Sequence, residues 1–113
     1  MHLKIGDKVR LIHDVVSEDF HRDEIYVSGT KGSIAVVLSQ DEFLRHEPYQ
    51  DMYTREEITE IMIEGQWYPI RYEAKAPLSM IKPSGFDMID QCYVGSVALV
   101  SSRDLEKLND DAS

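Results

Sequence analysis

Cysteine is almost absent from this chain. Cys92 stands alone among 113 residues. No internal disulfide and no cysteine-based zinc site can form, and a reducing cytoplasm is the expected compartment. No apolar run approaches the roughly 20 residues of a membrane-spanning helix, so no membrane association is expected. The opening Met1-His2-Leu3-Lys4-Ile5-Gly6-Asp7 lacks the apolar core of a secretory leader, and none is expected. No internal repeat or low-complexity tract is visible. Basic residues are scarce: 12 Lys and Arg face 21 Asp and Glu, for a net charge of −9. Phosphate-backbone binding draws its affinity from Lys and Arg, so nucleic acid is not an expected partner.

Chemical signatures are scarce too. There is no Gly-x-Ser-x-Gly nucleophile elbow. Gly29-x-x-Gly32 lacks the spacing and the Lys-Ser ending of a phosphate-binding loop. His2, His13, His21 and His46 show no i, i+4 pairing. His13 and His21 flank Asp14, Glu18, Asp19 and Asp23, a set that could gather a metal or a small ligand. A solvated polar loop is the plainer reading. Cys92 sits beside Asp90, which would raise its pKa, so a packed thiol is expected rather than a nucleophile. Among 21 carboxylates chance pairs are abundant, and Glu56-Glu57 and Asp110-Asp111 read as solvated surface. The chain is expected to be no enzyme, with no cofactor and no metal.

What is present is enough apolar residue, 42% of the chain, to build one core. The charge is unevenly placed. Residues 1–40 carry a net −1, residues 41–64 a net −6, residues 65–103 a net +1 and residues 104–113 a net −3. A nearly neutral body thus carries one acidic segment and an acidic tail. Local fields of this kind act over a Debye length of roughly 8 Å and steer partners.

Hydrophobic patterning predicts mostly strands. Val9 and Leu11 alternate with Lys8, Arg10 and Ile12, a strand with one buried face. Residues 14–31 are mixed and polar and read as a long loop with Phe20, Ile25, Tyr26 and Val27 as anchors. Gly29-Thr30-Lys31-Gly32 is a turn, followed by a β-branched strand over 33–39. Ser39-x-x-Glu42 has capping-box form and predicts a short helix with Phe43 and Leu44 facing inward, ended by Pro48. Thr54-x-x-Glu57 is a second capping box, so 55–63 admits a helix. Yet Thr59, Ile61 and Ile63 alternate with Glu60, Met62 and Glu64, and Glu64-Gly65 resembles a hairpin turn into 66–73. The hairpin is favoured. Pro69 then marks an edge strand or a bulge. Residues 74–92 read as irregular, with a short strand at Ser79–Lys82. Residues 93–100 form a further strand. Ser102–Leu108 forms a helical turn running into a short final strand, and 109–113 is a frayed tail.

Four pieces in order carry a resemblance. These are Ile5-Gly6-Asp7-Lys8-Val9-Arg10-Leu11, Gly29-Thr30-Lys31-Gly32-Ser33-Ile34, Ile70-Arg71-Tyr72 and Arg103-Asp104-Leu105-Glu106. Together they resemble the G-D-x-V-x-L, G-T-x-G-x-I and D-L-E pattern of small SH3-like β-barrel domains. The resemblance implies a mainly β fold: an SH3-like small barrel with long loops and a short helical insertion. Residues 1–108 would form one domain with the acidic insertion at 41–64. Leu105 would plug the barrel end. This fold hosts many unrelated roles, so function is not implied with it.

The aromatics are the best functional hint. Trp67, Tyr68, Tyr72 and Tyr26 are the candidate binding residues, with Tyr93 and Phe86 beside them. Aromatic-lined grooves bind peptides, and Trp and Tyr favour interfaces, although hairpin and core packing would use them too. The expected function is a non-catalytic protein-interaction or accessory module. Its partner would be another protein or itself, with residues 57–72 in a homodimer interface. One alternative is an acidic inhibitor or immunity-type protein that neutralises a basic partner, and a further one is a small-ligand binder or enzyme with a pocket near the His13–His21 loop.

Overall fold

The computed structural model describes residues 2–19, 24–47, 49–78, 88–90 and 93–108. The fold is mainly sheet, with a curled half-barrel and a few short helices. Its strands are β1 (Lys8–Leu11), β2 (Val15–Asp19), β3 (Glu24–Gly29), β4 (Ile34–Val37), β5 (Trp67–Ala74), β6 (Met88–Asp90), β7 (Val97–Ser101) and β8 (Leu105–Lys107). Between β4 and β5 lie the helices α1 (Gln40–Phe43), α2 (Tyr49–Met52) and α3 (Arg55–Glu64). The curled sheet has the order β7-β5-β4-β1-β8, and a second sheet has the order β2-β3-β6.

The curled sheet follows from period-two burial. Val9 and Leu11 of β1, Ala35 and Val37 of β4, Tyr68, Ile70 and Tyr72 of β5, and Ala98 and Val100 of β7 all point to one face. Leu3 and Leu105 join the same cluster and close it. Burying each large apolar side chain contributes about 1.5–3 kcal/mol, so this face holds the sheet together. Tyr68 also anchors the start of the chain, because its hydroxyl accepts a bond of 3.1 Å from the Leu3 amide. The turn before β4 is pinned by buried hydroxyls. Thr30 Oγ1 lies 2.7 Å from Ser33 Oγ and donates to the Ala76 carbonyl at 2.6 Å, while the Ala76 amide donates to Ser33 Oγ. The expected turn over Ser102–Asp104 and the strand after it are both present.

The polar stretch 14–31, expected as a loop, instead forms the β2–β3 hairpin, with Ser17 opposite Tyr26 and Val16 opposite Val27. Its backbone ladder satisfies the peptide groups even though Ser17 and Ser28 bring polar side chains into it. Part of 74–92, expected to be irregular, supplies β6, which pairs in parallel with β3. The expected strand at 79–82 and the frayed tail at 109–113 lie outside the described residues, as does Pro48.

Residues 55–64 form a helix and not the first arm of a hairpin. Thr54 accepts from the Glu57 amide, and the Glu57 side chain accepts from the Thr54 amide, a complete capping box. Gly65 is the left-handed C-cap at φ 74°, so it stops a helix where a hairpin turn was expected. Ile58 is buried, while Ile61 and Met62 are half-buried at i+3 and i+4 from it. Helical spacing therefore outcompetes the apparent alternation, and Ile63 is left 71% exposed.

Pro69 marks neither an edge strand nor a bulge. Strand β5 lies inside the sheet between β7 and β4. The Leu38 amide donates to the Pro69 carbonyl, so the Pro69 nitrogen faces β4 where that strand has ended at Val37. The missing N–H falls where the ladder stops, and the strand keeps its proline without losing an interior bond.

Candidate functional site

Helix α1 of the insertion meets β5 on the side away from Tyr68 and Tyr72, while Met62 of α3 packs against the main core. Pro69 is buried, and Arg71 reaches Glu42 of α1 at 3.3 Å. Ser39 caps α1 by accepting from the Glu42 amide. Phe43 at its end is fully buried. The Tyr49 ring stacks on Phe43 with centroids 4.5 Å apart, and Tyr53 lies tilted at 6.3 Å. The Tyr49 hydroxyl donates to the Val97 carbonyl at 3.1 Å, which ties α2 to β7.

This arrangement leaves a cleft of about 510 Å³ between α2, the β2–β3 hairpin and the β5–β7 side of the curled sheet. Tyr49, Met52 and Tyr53 form one wall, Tyr26 with Ser17 and Ser28 the opposite one, and Trp67 with Leu99 the floor. Ser17 and Tyr26 are cross-strand partners, and Ser28 lies two residues on from Tyr26, which puts all three on one face of the hairpin. Burial first, and then the neighbouring phenols of Tyr53 and Tyr26, raise the Tyr49 hydroxyl above the ordinary tyrosine value of 10.0. Among the described residues the lining holds no Asp, Glu, His, Lys or Cys. The cleft therefore offers aromatic faces, a thioether and hydroxyls, which suit binding rather than proton transfer near neutral pH.

The four candidate binding residues divide. Trp67 is 41% exposed, and both it and Tyr26 line the cleft. Tyr68 and Tyr72 are buried in the main core on the opposite face of β5. Tyr93 is exposed on the turn before β7, and Phe86 lies outside the described residues. Tyr49, Tyr53, Met52 and Leu99 escaped the sequence reading. The i, i+4 spacing of Tyr49 and Tyr53, six residues after Phe43, is the pattern that carried them. His13 is exposed, Asp14 accepts from the Lys31 amide at 2.6 Å, and His21 and Cys92 lie outside the described residues. Among the described residues no three His, Cys, Asp or Glu side chains gather to hold a metal, and no helix is long and apolar enough to cross a membrane.

The acidic segment spends part of its charge internally. Arg55 pairs with Asp41 at 2.9 Å, and Glu42 takes Arg71. These exposed pairs contribute about 0–1 kcal/mol each. Glu56, Glu60 and Glu64 recur every four residues on the exposed side of α3 and have no ion pair among the described residues. No family model, no curated protein and no solved structure matches this chain.

Proposed function

We propose that this chain is a non-catalytic protein-interaction module, built on an SH3-like curled barrel, whose binding surface is the aromatic cleft. The observation that carries the reading is the convergence of Trp67, Tyr26, Tyr49 and Tyr53 from separate elements on one cleft. Half-exposed Trp and Tyr in a concave site are the side chains that most often dominate protein-interface energetics. The SH3-like reading is supported by the curled five-stranded sheet, by the Gly32 turn into β4 and by Leu105 in the core. The partner is a protein segment that presents apolar side chains.

Selection of a random-peptide display library on the purified chain tests this, with Trp67→Ala as the counter-target. Trp67 is the only tryptophan, so its fluorescence reports binding directly. Peptides enriched on the native chain and lost on Trp67→Ala are the expected result. Enrichment indifferent to Trp67, or none, refutes the proposal.

A second reading, an acidic protein that neutralises a basic partner, draws on the Glu56, Glu60 and Glu64 row of α3. It predicts an association rate that falls steeply between low and physiological salt, and it predicts no role for Trp67.

A further inference from the structure

Among the described residues, strand β7 is the last strand on its side of the curled sheet. Its register sets which peptide groups face inward. The Tyr72 amide donates to the Ser96 carbonyl, and Ile70 and Tyr68 stand opposite Ala98 and Val100. Even-numbered residues therefore turn their N–H and C=O groups toward β5, and Val97, Leu99 and Ser101 turn theirs outward. The Val97 carbonyl already accepts from Tyr49. The Leu99 N–H and C=O and the Ser101 N–H have no ladder partner among the described residues. Leu99 is also a lining residue of the aromatic cleft. An unpaired sheet edge, half-buried at Leu99 and buried at Ser101, thus meets an aromatic cleft at Leu99.

We propose that the cleft takes its partner as an added β-strand, with an extended segment of a basic-flanked protein pairing along Leu99 and Ser101 of β7. This rests on the reading of the cleft as a protein-binding surface and names the form and chemistry of the ligand. Backbone bonds to the edge would supply register, and alternate side chains of the segment would enter between Trp67 and the Tyr26, Tyr49 and Tyr53 rings. Charge selects the occupant. The wall that carries Tyr49, Met52 and Tyr53 belongs to the segment of net charge −6, where one of only two basic residues, Arg55, is already paired with Asp41. A second copy would bring two such segments together, and Tyr49 on the Val97 carbonyl obstructs the symmetric pairing of β7 with itself. A segment flanked by Lys or Arg has neither obstacle.

The test uses the peptides that the display selection yields on the full chain. Each is resynthesised with single N-methyl groups placed in turn along its backbone, which removes one donor at a time and leaves the protein intact. Strand addition predicts losses of about tenfold or more at alternate residues and little change between them. It also predicts slowed exchange of the Leu99 and Ser101 amides on binding. Selected peptides should be rich in Lys or Arg and weaken as salt rises. Trp67-dependent peptides without the two-residue N-methyl pattern overturn strand addition and leave the cleft as a binding surface. Neutral or acidic peptides overturn the basic partner. A Trp67-dependent dimer by light scattering overturns the choice of occupant. Absence of any Trp67-dependent peptide removes the binding surface itself, and the strand with it.

Discussion

Helix α2 has no buried residue of its own, yet it forms a wall of the cleft. It is held by the Tyr49 ring stacked on Phe43 and by the Tyr49 hydroxyl on the Val97 carbonyl. Phe43→Ala therefore tests both packing and site. Phe43 is fully buried, at 0% accessibility, within the insertion and apart from the main core cluster. Truncating such a phenylalanine costs about 3–5 kcal/mol, of which each lost ring pair accounts for about 0.5–1.5. At roughly 2.1 cal/mol/K per residue, the unfolding entropy of this chain is about 0.24 kcal/mol/K, so the melting temperature should fall by about 12–20 °C. Phe43→Leu keeps most of the volume and loses the stacking, for about 1–2 kcal/mol. Urea unfolding followed by circular dichroism gives the stability. Trp67 fluorescence gives the state of the cleft, because α2 shares that cleft with the indole. A loss below about 1 kcal/mol for Phe43→Ala would refute the packing argument. A large loss with unchanged native Trp67 emission would refute the link between Phe43 and the cleft.

Gly29→Ala should destabilise by about 1–3 kcal/mol, because an added Cβ would meet the Tyr72 hydroxyl within van der Waals contact and Leu11 Cδ2 at 2.6 Å. The cause is space and not backbone, so Tyr72→Phe should recover part of the loss in denaturant titrations; strictly additive costs would refute it. The raised pKa of Tyr49 gives a pH effect of definite sign. The unfolded chain loses this proton first, near the ordinary tyrosine value of 10.0, so the contribution is full below that pH and declines as pH rises above it. Comparing urea midpoints of the native chain and Tyr49→Phe from pH 8 to 11 should show the native chain declining more steeply above about pH 10, and parallel curves would refute the assignment.

Strands whose burial has a clean period of two were legible in the sequence. Lys8–Leu11 and Ile34–Val37 are present because one face of each meets the core and no competing pattern exists, and the 66–73 arm is present as well, although Pro69 is buried between Tyr68 and Ile70. The β2–β3 hairpin was not legible. Its ladder is made by backbone groups, while Ser17, Tyr26 and Ser28 face a cleft that is neither core nor open solvent. Composition cannot distinguish such a face from a loop. Residues 55–64 failed for a different reason. Ile61, Met62 and Ile63 satisfy either period over so short a stretch, and the deciding signals were local: a reciprocal cap at Thr54 and Glu57 and a left-handed Gly65. Weighting caps above alternation would have recovered the helix.

The same contrast explains how the candidate site was half legible. Trp67 and Tyr68 are adjacent, so in a strand they must point to opposite faces, and only one of them can belong to a surface. Sequence alone identifies the pair but not which face the core takes. That choice is made by Leu3, whose amide engages the Tyr68 hydroxyl, and by Ala98 and Val100 on the neighbouring strand. Once Tyr68 is inside, Trp67 must emerge on the reverse side, where Pro69 is buried and Arg71 pairs with Glu42 of the acidic insertion. The insertion stops short of covering Trp67 and instead supplies Tyr49 and Tyr53 as a wall. The cleft is therefore bounded by the insertion, which reaches Arg71 through Glu42 and leaves Trp67 41% exposed. The acidity of that segment and the aromaticity of the cleft are then two properties of one element, which is why a partner chosen by the cleft must also tolerate its charge.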